Sequence, residues 1–175
     1  MSAGKQIKGQ QLFNRQQKNK NLNGPCIICD GLQSPDNLGS ILRVADAAGS
    51  NKIILLDSGL DLNNKKLSKL ARSSDKHLTL EQLSLDEFIQ TRQHYNALYA
   101  LEITDTSRNA FETSLAQCDG IILGHESGGI REELLTLCDR AIHLPMFGVN
   151  GSMNVSHALA VFLYEWRRQS GLSDE

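Results

Sequence analysis

Asn37 and Arg43 stand six residues apart in the stretch Asn37-Leu38-Gly39-Ser40-Ile41-Leu42-Arg43. Gly39 lets a backbone or a ligand approach closely. Arg43, on a segment otherwise full of Leu, Ile, Val and Ala, either snorkels to solvent or aims at an anion. A second stretch, Gly124-His125-Glu126-Ser127-Gly128-Gly129-Ile130-Arg131, has glycines that permit a tight loop with backbone N–H groups free for a ligand. A third runs from Leu144-Pro145-Met146-Phe147 to Asn150-Gly151-Ser152-Met153-Asn154-Val155-Ser156. Ser152 or Asn154 could cap a following helix, and one cap would suffice. The surplus of small polar groups beside a Pro-Met-Phe wall suits a ligand with polar and apolar parts.

Several other chemistries are poorly supported. His125-Glu126 has no second His four residues on, as a zincin needs. Ser127 is not in G-x-S-x-G, because position 125 is His. The first strand is not followed by G-x-G-x-x-G, and no P-loop lysine is present. Cys26-Ile-Ile-Cys29 invites a redox or zinc reading, but strand alternation points the two thiols to opposite faces. Cys118 and Cys138 are not closely spaced, so the chain lacks a four-cysteine zinc signature and reads as holding free thiols and no metal.

The elements that must position these stretches alternate. Cys26 to Leu32 reads as a buried strand, followed by a Ser34-Pro35-Asp36-Asn37 turn in which Asp36 or Asn37 is available as a cap. Leu38, Ile41, Leu42, Ala45 and Ala48 recur at helical spacing until Gly49. Lys52 to Asp57 is a second strand, which makes a βαβ unit and a parallel sheet. Leu62 to Arg72 has a helical pattern, and Thr79 to Leu83 is a short strand. Leu85 to Tyr95 is a helix with a Ser84/Glu87 capping box. Asn96 to Ile103 is a strand, and Thr104 to Ser114 a loop with a helical turn. The apolar runs Gly120 to Leu123 and Ala141 to Met146 each leave a strand for a polar loop and then a helix. Such loops at carboxyl ends of strands are where open α/β sheets bind ligands. The last helix, Asn154 to Gln169, has an apolar band wide enough for a core contact or a dimer interface.

The 175 residues, 40% hydrophobic and 22% charged, fit one soluble α/β domain with a mostly parallel sheet flanked by helices. No apolar run could span a bilayer, and no N-terminal signal is present, so the expected location is cytoplasmic. The formal net charge is −2, yet residues 1–24 carry only Lys5, Lys8, Arg15, Lys18 and Lys20 as charges. That arm could follow a phosphate backbone or be a solvated tail, with the domain proper spanning 25–175.

In order and separation, N-x-G-x-x-x-R, L-G-x-E-x-x-G-I and L-P-M-x-G-x-x-x-S-M-N-V-S, with a closing helix bearing L-Y-E, resemble the SpoU (TrmH-like) RNA ribose 2′-O-methyltransferases. The resemblance runs from about Pro25 to Arg168. It implies a C-terminal deep trefoil knot, S-adenosylmethionine bound in that knot, and a homodimer. The cofactor residues so implied are Leu123, Gly124, His125, Glu126, Gly129, Ile142, Leu144, Met146, Ser152, Met153 and Asn154. Arg43 would be catalytic, supported by Asn37, Glu126, Ser152 and Asn154. RNA would be met by Lys18, Lys20, Arg43 and Arg72. His125 stands where the family often has Asn, and Met153 where it often has Leu. The short N-terminal arm, in place of a separate RNA-binding domain, favours tRNA over ribosomal RNA. The alternatives are a ribosomal RNA enzyme, a non-catalytic RNA-binding relative, or a different nucleotide-binding enzyme.

Overall fold

Strand β1 (Cys26–Asp30) is buried along almost its whole length, so its alternation sorts side chains between two cores rather than between core and water. Ile27 and Cys29 join one core, while Ile28 and Cys26 pack with the other. The two thiols of the C-x-x-C thus lie on opposite faces of the sheet. A computed structural model describes residue 8 and residues 23–62 and 78–170.

The chain continues through α1 (Pro35–Ala48), β2 (Lys52–Leu56), β3 (Thr79–Leu83), α2 (Leu85–Thr91) and β4 (Leu98–Leu101). It then forms β5 (Arg108–Asn109), β6 (Gly120–Leu123), α3 (Glu132–Leu135), β7 (Arg140–His143) and α4 (Val155–Gln169). The seven strands lie in the order β3-β2-β1-β6-β4-β7-β5, and every pair is parallel. β6 therefore enters between β1 and β4, with Ile121 opposite both Ile27 and Tyr99. One face of the sheet is covered by α1 and α4, which pack on each other and bury Leu38, Ile41, Leu159, Phe162 and Leu163. On the other face, Ile28, Ile54, Leu98, Ala100 and Ile122 pack against Phe88 of α2 and Leu134 of α3.

Several boundaries differ from the sequence expectation. α1 begins at Pro35, three residues before its first apolar position, and neither Asp36 nor Asn37 caps it. Ser34 does, with its Oγ accepting from the Asn37 N–H at 3.2 Å. Proline suits the first helical position because its fixed φ is already helical and it has no N–H to leave unpaired. The 85–95 helix stops at Thr91 and tightens into a 3₁₀ turn over Arg92–His94, whereas its Ser84/Glu87 capping box forms as expected. The strand expected over 96–103 is confined to 98–101. The one expected over 26–32 ends at Asp30 and that over 52–57 at Leu56, while the 141–146 run is a strand only over 140–143. Residues 104–114 contain β5, a two-residue strand too short to show alternation. The helix after the second glycine loop is only four residues long. The helical pattern at 62–72 lies almost wholly outside the described residues.

Candidate functional site

All three motif stretches meet at the carboxyl ends of the parallel strands. Because Ser34 caps α1, the Asn37 side chain is left for longer-range contacts. Its Nδ2 donates to Glu126 Oε1 at 2.8 Å, and its Oδ1 accepts from Asn154 Nδ2 at 3.0 Å. Asn154 Oδ1 in turn accepts from the Ser156 N–H at 2.9 Å and the Ser156 hydroxyl at 2.7 Å, which caps α4. One hydrogen-bond chain therefore joins the first, second and third motifs. Every amide in it is oriented, since only an –NH₂ can donate to a carboxylate.

The second motif is a closed loop. His125 N–H donates to Gly129 O at 2.9 Å, and Gly129 N–H to His125 O at 3.0 Å. Gly129 has φ +68°, and a Cβ at Gly124 would lie 2.4 Å from the Gly129 carbonyl carbon. The loop thus needs glycine at both ends. His125 Nδ1 accepts from the Ser127 N–H at 3.1 Å, so the neutral ring bears its proton on Nε2, 3.9 Å from Glu126 Oε2. In that tautomer His125 holds its own loop.

Behind the loop, Arg131 clamps the ends of two strands, β1 and β2. Its backbone N–H and Nε donate to the two oxygens of buried Asp30, at 2.9 and 2.7 Å, and Nη1 reaches Asp57 at 2.7 Å. Hydrogen bonding to Asp30 raises the guanidinium pKa further above its ordinary value.

A cleft opens beside these loops, lined by Leu101, Glu102, Ile103, Ile142, His143, Leu144, Met146, Ser152, Met153 and Ala158. It holds about 460 Å³ of empty space, its mouth included. Five expected cofactor residues, Ile142, Leu144, Met146, Ser152 and Met153, share this wall. Leu123, Gly124, His125, Glu126, Gly129 and Asn154 do not line it: Leu123 is buried in the core, and the others build or brace the adjoining loops. Arg43 is exposed on α1. At 100° per residue it sits about 120° around the helix from Asn37, away from the Asn37–Glu126 contact. Lys18, Lys20 and Arg72 lie outside the described residues.

Two polar residues of the cleft escaped the sequence reading. Glu102, taken there as one residue of a strand, accepts from Ile103 N–H at 2.9 Å through Oε1 and from Ile130 N–H at 3.2 Å through Oε2. His143 Nδ1 lies 3.0 Å from Ser107 Oγ. That hydroxyl already donates to Thr104 O and accepts from Thr104 N–H, so the imidazole is the donor and its Nε2 is left as an acceptor. The one available signal was the step from apolar to ionisable residues at the ends of β4 and β7.

Residues 24–164 match the SpoU rRNA Methylase family. The chain belongs to that family. Among curated members it is 32% identical over 144 residues to the 23S rRNA (guanosine-2′-O-)-methyltransferase RlmB of Blochmanniella floridana, covering 82% of this chain. It is 27% identical over 141 residues to the 23S rRNA (guanosine(2553)-2′-O)-methyltransferase RlmP of Bacillus subtilis, covering 81% of this chain. The chain spans 57% of the length of each of these two. The SpoU methyltransferase AviRb of Streptomyces viridochromogenes superposes with a TM-score of 0.76 at 25% identity, over 84% of this chain and 60% of that one. AviRb in complex with the cofactor AdoMet gives 0.73 at 26% identity, over 85% and 62%. The family membership thus covers the whole stretch in which the three motifs and the cleft lie.

The four cysteines are all free. Burial pushes the Cys26 thiol up to about 11 and Cys138 up to about 12, and drives Cys29 and Cys118 higher still. Among the described residues no group of three His, Cys, Asp or Glu side chains could hold a metal ion, and no helix is long and apolar enough to cross a membrane.

Proposed function

We propose that the protein transfers a methyl group from S-adenosylmethionine to a ribose 2′-hydroxyl in RNA. The observation that carries this reading is the Glu126–Asn37–Asn154–Ser156 chain, which locks the three family motifs together beside one cleft. The cleft suits the cofactor: Leu101, Ile142, Leu144, Met146 and Met153 offer an apolar wall for a purine and a methionyl arm, and Glu102, His143 and Ser152 offer polar partners. Bound there, the cofactor would supply an electrophilic sulfonium methyl.

The protein's part is positioning. Methyl transfer from a sulfonium needs in-line placement of the hydroxyl and help with its proton. Arg43 offers a fork of N–H donors and no acceptor, and so serves by binding the adjacent phosphate and orienting the hydroxyl, with that phosphate assisting proton removal. Asn37, Glu126 and Asn154 hold the loops in register, and Ser152 supports them from the cleft wall as a polar partner of the cofactor.

A homodimer completes this picture. Phe147 and Val149 on the third loop are 93% and 106% exposed, and Tyr164 and Val161 on α4 are also exposed, an apolar surface that a second copy would cover. Arg43, pointing away from Asn37 in its own protomer, would then act on the site of the other. A trefoil knot is favoured by the position of β7 between β4 and β5, with the following chain returning to pack α4 on α1. The protein would work in the cytoplasm, residues 1–24 contributing a basic arm to a SpoU-type methyltransferase domain over 25–175.

The test is methyl transfer from labelled S-adenosylmethionine to total tRNA and, separately, to ribosomal RNA, both from cells lacking the protein, with mass-spectrometric mapping. The curated relatives' names favour ribosomal RNA; the labelled pool decides between it and tRNA. Absence of both cofactor binding and transfer would overturn the proposal. Cofactor binding without transfer to either pool would favour a non-catalytic RNA-binding relative.

A further inference from the structure

Among the described residues, Glu102 is the one acid in the wall of the cleft. It follows β4, a central parallel strand, and its backbone N–H donates to Ile142 O at 2.9 Å, tying it to β7. Its two carboxylate oxygens each accept one backbone N–H, from Ile103 and Ile130, so the side chain is held in a single orientation from both sides. Each oxygen keeps a further lone pair. Gly129 protects this arrangement, since a Cβ there would come within 2.8 Å of Oε2 and displace the carboxylate.

A fixed pair of acceptor oxygens on an otherwise largely apolar wall calls for donors on the ligand. In an adenosyl ligand the matching group is the ribose diol, two adjacent O–H donors facing two oxygens. Acidic residues near the carboxyl ends of parallel strands take ribose hydroxyls in dinucleotide-binding sheets on the same logic. We propose that Glu102 accepts hydrogen bonds from the ribose 2′- and 3′-hydroxyls of the adenosyl group and makes binding depend on that diol. This rests on the cofactor reading above.

The diol assignment competes with one in which Glu102 faces the sulfonium charge, and the two separate experimentally. Calorimetric titration of the full chain would use S-adenosylmethionine, S-adenosylhomocysteine, and the 2′-deoxy and 3′-deoxy counterparts of the latter. The wild-type chain should bind S-adenosylhomocysteine about tenfold or more tightly than at least one deoxy counterpart. Glu102→Gln, of unchanged size, should lose about that factor for S-adenosylhomocysteine and little for that counterpart, erasing the preference. S-adenosylmethionine and S-adenosylhomocysteine should weaken equally. A wild-type chain indifferent to both deoxy substitutions overturns the proposal without any variant. So does a Glu102→Gln chain that weakens S-adenosylmethionine alone, or all ligands alike. If the wild type binds none of these ligands, the cofactor reading itself falls and this inference with it.

Discussion

Asn37 and Glu126, 89 residues apart in sequence, share a 2.8 Å hydrogen bond that fixes the start of α1 to the loop after β6. Asn37 is also held by Asn154, so its amide is the hinge on which both loops depend. Asn37→Ala and Glu126→Ala should each slow single-turnover methyl transfer by about 10²-fold, and the double variant should be little worse than either. Additive losses would mean that the two residues act separately.

Arg43 carries a different expectation. Arg43→Ala should abolish methyl transfer while S-adenosylmethionine affinity, read by calorimetry, stays within about twofold, because Arg43 is outside the cleft wall. Arg43→Lys should not rescue, since an ammonium lacks the planar fork that grips a phosphate. Parallel loss of binding and transfer would remove Arg43 from its assigned role.

Gly124→Ala tests the loop itself. Its added methyl group would meet backbone atoms of Gly129 and Ile130 at 2.4 to 2.8 Å, and backbone cannot swing aside. A destabilisation of about 2–4 kcal/mol in urea unfolding is expected, with weakened cofactor binding. Unchanged stability would show that the 124–130 loop has a second conformation.

The thiols make a pH prediction. With Cys26 raised to about 11 and Cys138 to about 12, both by burial, the folded state holds its thiol protons where the unfolded chain has lost them. Their contribution to stability is therefore full below about pH 8.5 and falls as pH rises from there toward 11–12, by on the order of 1–3 kcal/mol per thiol. Urea midpoints should drop between pH 9 and 11. At pH 7.5 the native protein should react with a thiol reagent far more slowly than the unfolded chain. Fast native labelling would reopen the redox reading of Cys26-x-x-Cys29.

Much of this fold could be read locally. The Ser84/Glu87 box, the Gly49 stop and the buried runs at 26–30, 52–56 and 120–123 are short-range signals, and each produced its element. The three motif loops converge because each leaves the same edge of one parallel sheet. Sheet order was not legible, since the insertion of β6 between β1 and β4 is decided by packing across some ninety residues of chain. Glu102 and His143 were missed for a related reason. A lone Glu or His at a strand end looks like any solvated residue until Ile130 N–H or Ser107 Oγ is brought against it.

The placement of β6 has a consequence for how the chain is made. Until Gly120–Leu123 has left the ribosome, β1 and β4 cannot be joined: β1 presents one unpaired apolar edge and β4 two. β7 and α4 come later still, and both are needed to cover what β6 completes. The nascent protein thus carries one three-stranded half-sheet, β3-β2-β1, and a β4 without a partner strand until residues 120–143 have emerged. Long-range parallel pairing of this kind is slow to form, so its dependence on chaperones should be set by the C-terminal segment rather than by the strands that emerge first.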